Sequence, residues 1–252
     1  MADRRLMGRS IIVTGGSSGI GRASARLFAA EGALVVVADL DELGGKETCA
    51  AITSAGGEAV FARVDVTQED SVAAMVELAV NTFGGLHGAF NNAGVAEAPA
   101  RFEDTALETW HRILAIDLTG VFLCMKHELR HMAKNGGGAI VNTSSVAGHS
   151  GAPGRVGYSA AKHGVLGLTK LAAREYARRG VRVNAVSPGL IDTPALRGSL
   201  DAAGFDALAE RTAPGRIARP EEVAQVAAWL LSDGATYVSG ETVVVDHGAL
   251  AR

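Results

Sequence analysis

Cysteine and clustered basic charge are both scarce in this chain, and each scarcity excludes a class of protein. The two cysteines, Cys49 and Cys124, lie far apart and outside any CxxC or metal-ligand spacing. They predict buried or half-buried thiols and no disulfide. None of the seven histidines has metal-ligand spacing, so no metal site is expected. The formal net charge is −3, and no block of lysines and arginines is interleaved with aromatics, which argues against a nucleic-acid surface.

Long apolar runs, internal repeats and flexible linkers are also missing. The N-terminal apolar run ends after Val13, far short of the about 20 residues of a spanning helix and short of the core of a signal sequence. We therefore expect no membrane association and a cytoplasmic location. Because 48% of the residues are hydrophobic, 20% are charged and no Pro/Gly linker divides the chain, the sequence predicts a single domain over residues 1–252.

Seven short β-branched runs alternate with longer segments of helical period, such as 22–31, 71–83, 158–178 and 221–230. Most of the runs are apolar throughout, which is typical of parallel strands buried on both faces. The pattern predicts a doubly wound α/β fold of the Rossmann type, with a seven-stranded parallel sheet and helices on both faces. The predicted strands are 10–13, 34–38, 59–64, 88–90, 139–143, 181–186 and 242–245.

The least regular stretch of the chain covers residues 190–220 and is rich in alanine, glycine, proline and arginine. A segment of this length without an obvious period is often functional. We interpret it as a lid over a substrate site, with a surface excursion of no functional role as the alternative.

A glycine-rich turn follows the first predicted strand. It reads TGGSSGIG over residues 14–21, and an apolar helical segment begins at once. Glycines let the backbone approach a pyrophosphate closely, and the N–H groups at the start of a helix stabilise its charge. Glycines often only make turns, but this place between the first strand and the first helix predicts a nucleotide site. Its residues would be Gly15, Ser17, Ser18, Gly19, Ile20 and Gly21.

An acidic residue, Asp39, ends the second predicted strand, 18 residues after the glycine turn. At that distance a carboxylate can accept hydrogen bonds from the ribose hydroxyls of adenosine. A 2′-phosphate would meet this carboxylate, and no cation stands at Ser17, Ser18 or Leu40 to neutralise it. The sequence therefore predicts NAD as the cofactor, with a contact from Leu40 beside it. The alternative is that Asp39 only caps the helix after Asp41.

Tyr158 and Lys162 are four residues apart, and so lie on one face of a helix. An ammonium group near a phenol favours the ionised phenol, which can then act as a general acid or base. A YxxxK string alone is common, so its interpretation depends on the motifs around it.

Taken together, these motifs resemble those of the short-chain dehydrogenases/reductases, in the same order and over nearly the whole chain. The resemblance implies hydride transfer between NAD and a secondary alcohol or ketone, a small-molecule substrate. It is carried by TGGSSGIG at 14–21, Asp39, Asp65 with Val66, NNAG at 91–94, the serine pair at 144 and 145, YSAAK at 158–162 and PGLIDT at 188–193.

The resemblance also implies a role for each site residue. Ser145 would hold the substrate oxygen, Tyr158 would transfer the proton, and Lys162 would assist it and bind the nicotinamide ribose. For Ser145, a turn serine that bonds to its own backbone is the alternative. Further cofactor contacts would come from Asp65 and Val66 at the adenine, Asn92 along the trough, and Ile191 and Thr193 at the carboxamide.

Asp117 is a departure from the family's pattern. The family usually has asparagine in the segment that reads IDLTGVF here, at 116–122, where it supports a water next to the lysine in a proton relay. An ionised carboxylate cannot donate a hydrogen bond, and it would offset part of the effect of Lys162 on Tyr158. Two readings follow: a relay retained with Asp117, or a mainly structural role.

Two other functions remain open at this point. A reductase of 3-oxoacyl thioesters would use the same machinery, and Arg155 or Arg197 could meet an acidic substrate. A non-catalytic sensor or scaffold that binds NAD is supported only by Asp117.

The resemblance implies a homo-oligomer, specifically a tetramer, that pairs through the helix holding YxxxK. That helix carries more apolar side chains than one face against its own sheet requires. They are Leu166, Leu168, Leu171 and Ala172.

Overall fold

A parallel sheet of seven strands runs through the computed structural model, which describes residues 4–251. The strand order is β3-β2-β1-β4-β5-β6-β7, and every neighbouring pair is parallel. The doubly wound α/β prediction is therefore confirmed. The strands are β1 (Ser10–Thr14), β2 (Leu34–Asp39), β3 (Glu58–Arg63), β4 (Gly88–Asn91), β5 (Gly138–Thr143), β6 (Val181–Pro188) and β7 (Thr242–Val245).

Helices cover both faces of the sheet, as predicted. A π-helical turn, Ala115–Thr119, joins α4 to α5, and short 3₁₀ turns follow α7 and α10. The helices are α1 (Gly19–Ala30), α2 (Glu42–Ser54), α3 (Glu69–Phe83), α4 (Leu107–Leu114), α5 (Gly120–Met132), α6 (Ala147–Ser150), α7 (Val156–Tyr176), α8 (Pro194–Arg197), α9 (Ala202–Glu210) and α10 (Pro220–Leu231).

Successive side chains of the central strands pack into two separate cores, one on each face of the sheet. In β1, Ile12 packs into the core under α3, α5 and α7, whereas Ile11 and Val13 pack into the core under α1 and α10. Side chains in a strand point alternately to opposite faces, so a strand covered on both faces must be apolar throughout. This is why the apolar runs identified the strands.

The strand order reverses between β1 and β4. From β1 the chain moves outward through β2 to β3, then returns to place β4 on the other side of β1. At such a switch point the loops after the two strands diverge and leave a crevice at their carboxyl ends, where ligands bind in this class of fold. The glycine turn follows β1, and NNAG begins at the end of β4.

Several predicted bounds need correction. The first helix begins at Gly19 rather than at residue 22. Its first turn includes Gly19 and Gly21, which the sequence predicted as part of the glycine turn. The helix predicted over 158–178 covers Val156–Tyr176, and the strand predicted over 59–64 covers Glu58–Arg63. Both cysteines are free thiols, with Cys124 buried and Cys49 half-buried, as predicted.

Residues 190–220 are more regular than their composition suggested, because they contain α8 and α9. Each helix has a side-chain cap: Thr193 accepts from the N–H of Leu196, and Asp201 accepts from that of Gly204. Within residues 4–251, no helix has the length and apolar character needed to cross a membrane.

Candidate active site

The glycine turn after β1 has a backbone that favours glycine at two positions. Gly15 and Gly19 have φ of 68° and 51°, in the left-handed region. A Cβ at Gly21 would lie 2.0 Å from the carbonyl oxygen of Gly15. Ser18 precedes α1 without a side-chain cap, so the first N–H groups of the helix remain available to a ligand phosphate. The turn therefore fits the pyrophosphate of a dinucleotide.

Asp39 lies at the end of β2 with its carboxylate fixed by two backbone groups. Oδ2 accepts from the N–H of Ser17 at 2.9 Å, and Oδ1 accepts from the N–H of Asp41 at 3.0 Å. The cap of α2 is Asp41, whose Oδ1 accepts from the N–H of Gly44 at 3.1 Å. The reading of Asp39 as only a helix cap is thus wrong.

A cleft of about 770 Å³ opens at the carboxyl edge of the sheet. Its volume is within the range of small-molecule and cofactor pockets. Fourteen of the residues predicted for the site form part of its wall: Gly15, Ser17, Ser18, Gly19, Ile20, Asp39, Leu40, Asp65, Val66, Asn92, Asp117, Tyr158, Lys162 and Thr193.

Three predicted site residues, Gly21, Ser145 and Ile191, are not among the residues that line this cleft. Gly21 is buried against the glycine turn, and the side chain of Ile191 packs into the core on the α1 and α10 side of the sheet. Ser145 is 8% exposed, and its Oγ accepts from the N–H of Ala147 at 3.1 Å. This hydrogen bond is the one expected of a turn serine that bonds to its own backbone. It uses Oγ only as an acceptor, so the hydroxyl proton of Ser145 can still donate to a ligand.

The pair Tyr158 and Lys162 lies on the first turns of α7. The Lys162 Nζ is 5.4 Å from the centroid of the Tyr158 ring, and it donates to the carbonyl of Thr143 at 3.1 Å. Lys162 is 3% exposed, whereas Tyr158 is only half-buried at the cleft wall. The structure therefore places a buried ammonium beside a phenol that a ligand can reach.

Asp117 lies in the π-helical turn and contacts Lys162 directly. Its Oδ2 is 3.2 Å from Lys162 Nζ, its Oδ1 accepts from the N–H of Val95 at 2.8 Å, and the side chain is fully buried. Burial raises the pKa of Asp117, although Lys162 opposes the shift. Burial lowers the pKa of Lys162, but Asp117 and Tyr158 outweigh this effect and leave that pKa raised.

Both arginines that could meet an acidic substrate are already engaged. Arg155 Nη1 donates to the backbone carbonyl of Glu97 at 2.6 Å. Arg197 forms two hydrogen bonds to Asp192, at 2.5 and 2.6 Å, and stacks over Phe205.

Sequence reasoning missed two residues of this region. Glu97, in the loop after β4, is buried, and its Oε1 accepts from the N–H of Tyr158 at 3.2 Å. Gly94 packs against the ion pair, since a Cβ there would lie 3.1 Å from Asp117 Oδ2 and 3.3 Å from Lys162 Nζ. The NNAG motif pointed to Gly94, but Glu97 stands in a loop without period or motif.

Comparison with known proteins identifies the family. The family model described as Enoyl-(Acyl carrier protein) reductase matches residues 15–249. The chain is 49% identical to cis-4-hydroxycyclohexanecarboxylate dehydrogenase of Sinomonas cyclohexanicum, covering 96% of this chain and 97% of that one. It is 44% identical to cyclohexanol dehydrogenase of an Acinetobacter species, covering 93% and 92%. The crystal structure of levodione reductase superimposes with a TM-score of 0.95 at 38% identity, covering 98% and 99%.

These findings narrow the activity. Although the family model is described by an enoyl reductase, the relatives are dehydrogenases of hydroxyl groups, so neither an enoyl nor a 3-oxoacyl thioester reductase is favoured. The chain is an oxidoreductase of CH–OH groups that works with a nicotinamide cofactor. The glycine turn, the cleft and the Tyr158–Lys162 pair agree with this activity. The chain belongs to the short-chain dehydrogenase/reductase family.

Proposed function

We propose that this enzyme oxidises a secondary alcohol on a six-membered carbon ring, with NAD as its cofactor and Tyr158 as the proton acceptor. The observation that carries the proposal is the phenol of Tyr158 at the cleft wall, with the buried ammonium of Lys162 5.4 Å from its ring. An ammonium at this place favours the ionised phenol, the form that can take a proton from an alcohol.

Each residue has a distinct task in this proposal. The cleft, with the glycine turn and Asp39 in its wall, would hold the cofactor, which would supply a hydride acceptor for the carbinol carbon. Tyr158 accepts the hydroxyl proton, and Ser145 donates a hydrogen bond to the substrate oxygen with its free hydroxyl proton. Lys162 stabilises the ionised phenol, and Asp117 holds Lys162 by the contact of 3.2 Å.

The ring alcohol is supported by the relatives and by the cleft. Two of the relatives described above are named for alcohols on a six-membered ring, one for cyclohexanol and the other for cis-4-hydroxycyclohexanecarboxylate. The cleft wall includes the apolar residues Val95, Ala96, Pro194 and Ala195, which suit a hydrocarbon ring. Arg155 and Arg197 are engaged within the chain, but Arg112 is exposed at the cleft wall, so the proposal includes rings with and without a carboxylate.

Steady-state assays with NAD and an alcohol panel test this function. We expect cyclohexanol to exceed the acyclic 2-hexanol by about tenfold or more in kcat/KM, the scale on which a shaped apolar pocket discriminates. Turnover of acyclic alcohols without turnover of ring alcohols would contradict the proposal.

NAD is the proposed nicotinamide cofactor because of Asp39. Its carboxylate lies at the cleft wall and is oriented by Ser17 and Asp41. It can accept from ribose hydroxyls, and it would repel a 2′-phosphate.

We propose residues 190–220 as a lid that closes a single catalytic domain over its substrate. The two ends of the segment are tied, since Asp192 N donates to Ala218 O at 2.8 Å and Ala218 N donates to Leu190 O at 3.1 Å. At its start, Thr193 reaches the glycine turn: a Cβ on Gly19 would lie 3.2 Å from Thr193 Cγ2. Thr193 therefore stands where cofactor and lid would meet.

Replacing Asp117 by asparagine should move the pH profile of alcohol oxidation. Asparagine keeps an oxygen for the N–H of Val95 but removes the negative charge 3.2 Å from Lys162. Without this negative charge, the ammonium of Lys162 favours the ionised phenol of Tyr158 more strongly. The rising limb of the kcat/KM profile should therefore shift to lower pH by about half a unit or more. An unchanged midpoint, or a higher one, would mean that the charge of Asp117 does not act on the reaction.

We also propose a homotetramer that pairs through the groove between α5 and α7, of about 400 Å³. Phe122 and Leu171 line it and are 47% and 55% exposed. Ala172 was expected on this surface as well, but it is buried in the core. Symmetric association would bury these exposed side chains.

The double variant Phe122→Arg with Leu171→Arg should dissociate the oligomer, because it places four or more cations at a symmetric contact. Sedimentation velocity at micromolar concentration measures this. Leu43→Arg is the control, since Leu43 is 72% exposed on α2, outside the groove. A wild-type monomer would contradict the proposal.

We propose a cytoplasmic location because the two cysteines are not joined in a disulfide. Cys49 and Cys124 are both free thiols, which persist in reducing compartments. Cell fractionation would test it.

A further inference from the structure

Glu97 is a buried charge that the proposed mechanism does not use. It lies in the loop between β4 and α4 and is 3% exposed. Oε1 accepts from the N–H of Tyr158 at 3.2 Å, and Oε2 is buried without a hydrogen-bond partner among residues 4–251. A carboxylate with so few hydrogen bonds is costly to bury, so its surroundings must offset the cost.

The offset comes from the start of α7. Tyr158 is the third residue of this helix, and the N-cap residue Arg155 makes no side-chain cap. The carboxylate of Glu97, 61 residues away in sequence, occupies the place of a capping group at the positive end of the helix. Arg155 Nη1 also donates to the carbonyl of Glu97 at 2.6 Å, and Ala100 N donates to Gly154 O at 3.0 Å. The loop is thereby fastened to the helix that carries Tyr158.

Charged groups on four segments of the chain lie around Tyr158. From α7 come the buried ammonium of Lys162 and the half-buried guanidinium of Arg155. The π-helical turn contributes Asp117 and the loop contributes Glu97, whose charge also helps to raise the pKa of Asp117. From α4, the exposed Arg112 lines the cleft. Both carboxylates are buried, whereas Lys162 is the only one of these three cations that is buried, and each carboxylate disfavours a negative charge on the phenol.

We propose that Glu97 is a positioning residue for Tyr158, which fixes the start of α7 by its hydrogen bond and sets, by its charge, the pH at which the phenol ionises. The inference deepens the proposed function, since it rests on Tyr158 as the proton acceptor. Glu97 thus acts on Tyr158 in two ways, by the hydrogen bond that fixes its position and by its negative charge, and different substitutions remove each of them.

Spectrophotometric titration of the phenols tests the charge directly, without substrate or cofactor. The chain has three tyrosines, and the difference between each protein and its Tyr158→Phe counterpart isolates the signal of Tyr158. Glu97→Gln keeps an acceptor for the N–H of Tyr158 and removes the charge. We expect the midpoint of the Tyr158 signal to fall by about half a pH unit or more. Equal midpoints in wild type and Glu97→Gln would overturn the proposal.

Glu97→Asp separates position from charge. It keeps the carboxylate but withdraws it by one methylene, so the midpoint should stay close to that of wild type while kcat falls. If Glu97→Asp and Glu97→Gln lower only the thermal midpoint and leave both the titration and kcat unchanged, Glu97 is structural and the proposal fails. Glu103→Gln is the matched control, because Glu103 is exposed in the same loop. Its titration should match wild type.

The titration also separates this inference from the proposed function. A wild type that oxidises no ring alcohol, but whose Tyr158 midpoint falls in Glu97→Gln, would reject the substrate and uphold the role of Glu97. If the wild type oxidises ring alcohols but Glu97→Gln does not change the Tyr158 midpoint, the proposed substrate stands and the role of Glu97 is rejected.

Discussion

The variant Tyr158→Phe is expected to oxidise ring alcohols with a kcat lower by about a hundredfold or more, the scale of general acid and base catalysis. Phenylalanine keeps the ring that packs 5.4 Å from Lys162 Nζ but has no oxygen to accept the proton. The affinity for NAD should change little, because the glycine turn and Asp39 are untouched. Stopped-flow turnover together with NADH fluorescence titration measures both quantities.

Tyr176→Phe is the matched control. Tyr176 ends the same helix and lines the groove between α5 and α7 rather than the cleft, so its kcat per active site should equal that of wild type. If Tyr158→Phe keeps more than half of the wild-type kcat, another group takes the proton, and the assignment of Tyr158 is wrong.

The second large effect concerns the choice of cofactor. The double variant Asp39→Ala with Leu40→Arg should change the NAD to NADP ratio of kcat/KM by about a hundredfold, because it removes a carboxylate that repels the 2′-phosphate and adds a guanidinium that binds it. Leu40 is 53% exposed at the cleft wall, so an arginine there can reach solvent and ligand.

Asp39→Asn separates charge from local structure. An asparagine oxygen can still accept from the N–H of Ser17 or Asp41, so the turn should persist while discrimination weakens. Equal efficiency of the wild type with NAD and NADP would refute the assignment.

The fold was predictable because its strands are buried on both faces. The run at 242–245 coincides with β7, and the other strands differ from prediction by one or two residues at an end. The π-helical turn at Ala115–Thr119 was not predictable, since no periodicity marks one extra residue in a helical turn. The start of α1 was missed because Gly19 and Gly21 disfavour a helix by propensity, yet Gly19 has a positive φ and Gly21 lies close to the carbonyl oxygen of Gly15.

The site was predictable where one short motif sets the local backbone. The glycine turn and the pair of Tyr158 with Lys162 each follow from spacing within one turn or one helix, and Asp39 follows from its place at the end of the second strand. The contact between Glu97 and the N–H of Tyr158 joins residues 61 apart, and a single glutamate in a loop carries no spacing that could reveal it. The sequence predicted that Asp117 lies near Lys162, but not that the two form a direct ion pair. Their distance depends on the packing of the π-helical turn against α7.

Transfer of deuterium from cyclohexanol labelled at its carbinol carbon is the most direct test of hydride transfer at a ring alcohol. The purified enzyme would be incubated with the labelled alcohol and NAD, and the reduced cofactor analysed by mass spectrometry. We expect one deuterium in each NADH formed, and about a hundredth as much labelled NADH or less with Tyr158→Phe over the same time. Ketone formation with unlabelled NADH, or no ketone at all from ring alcohols, would contradict it.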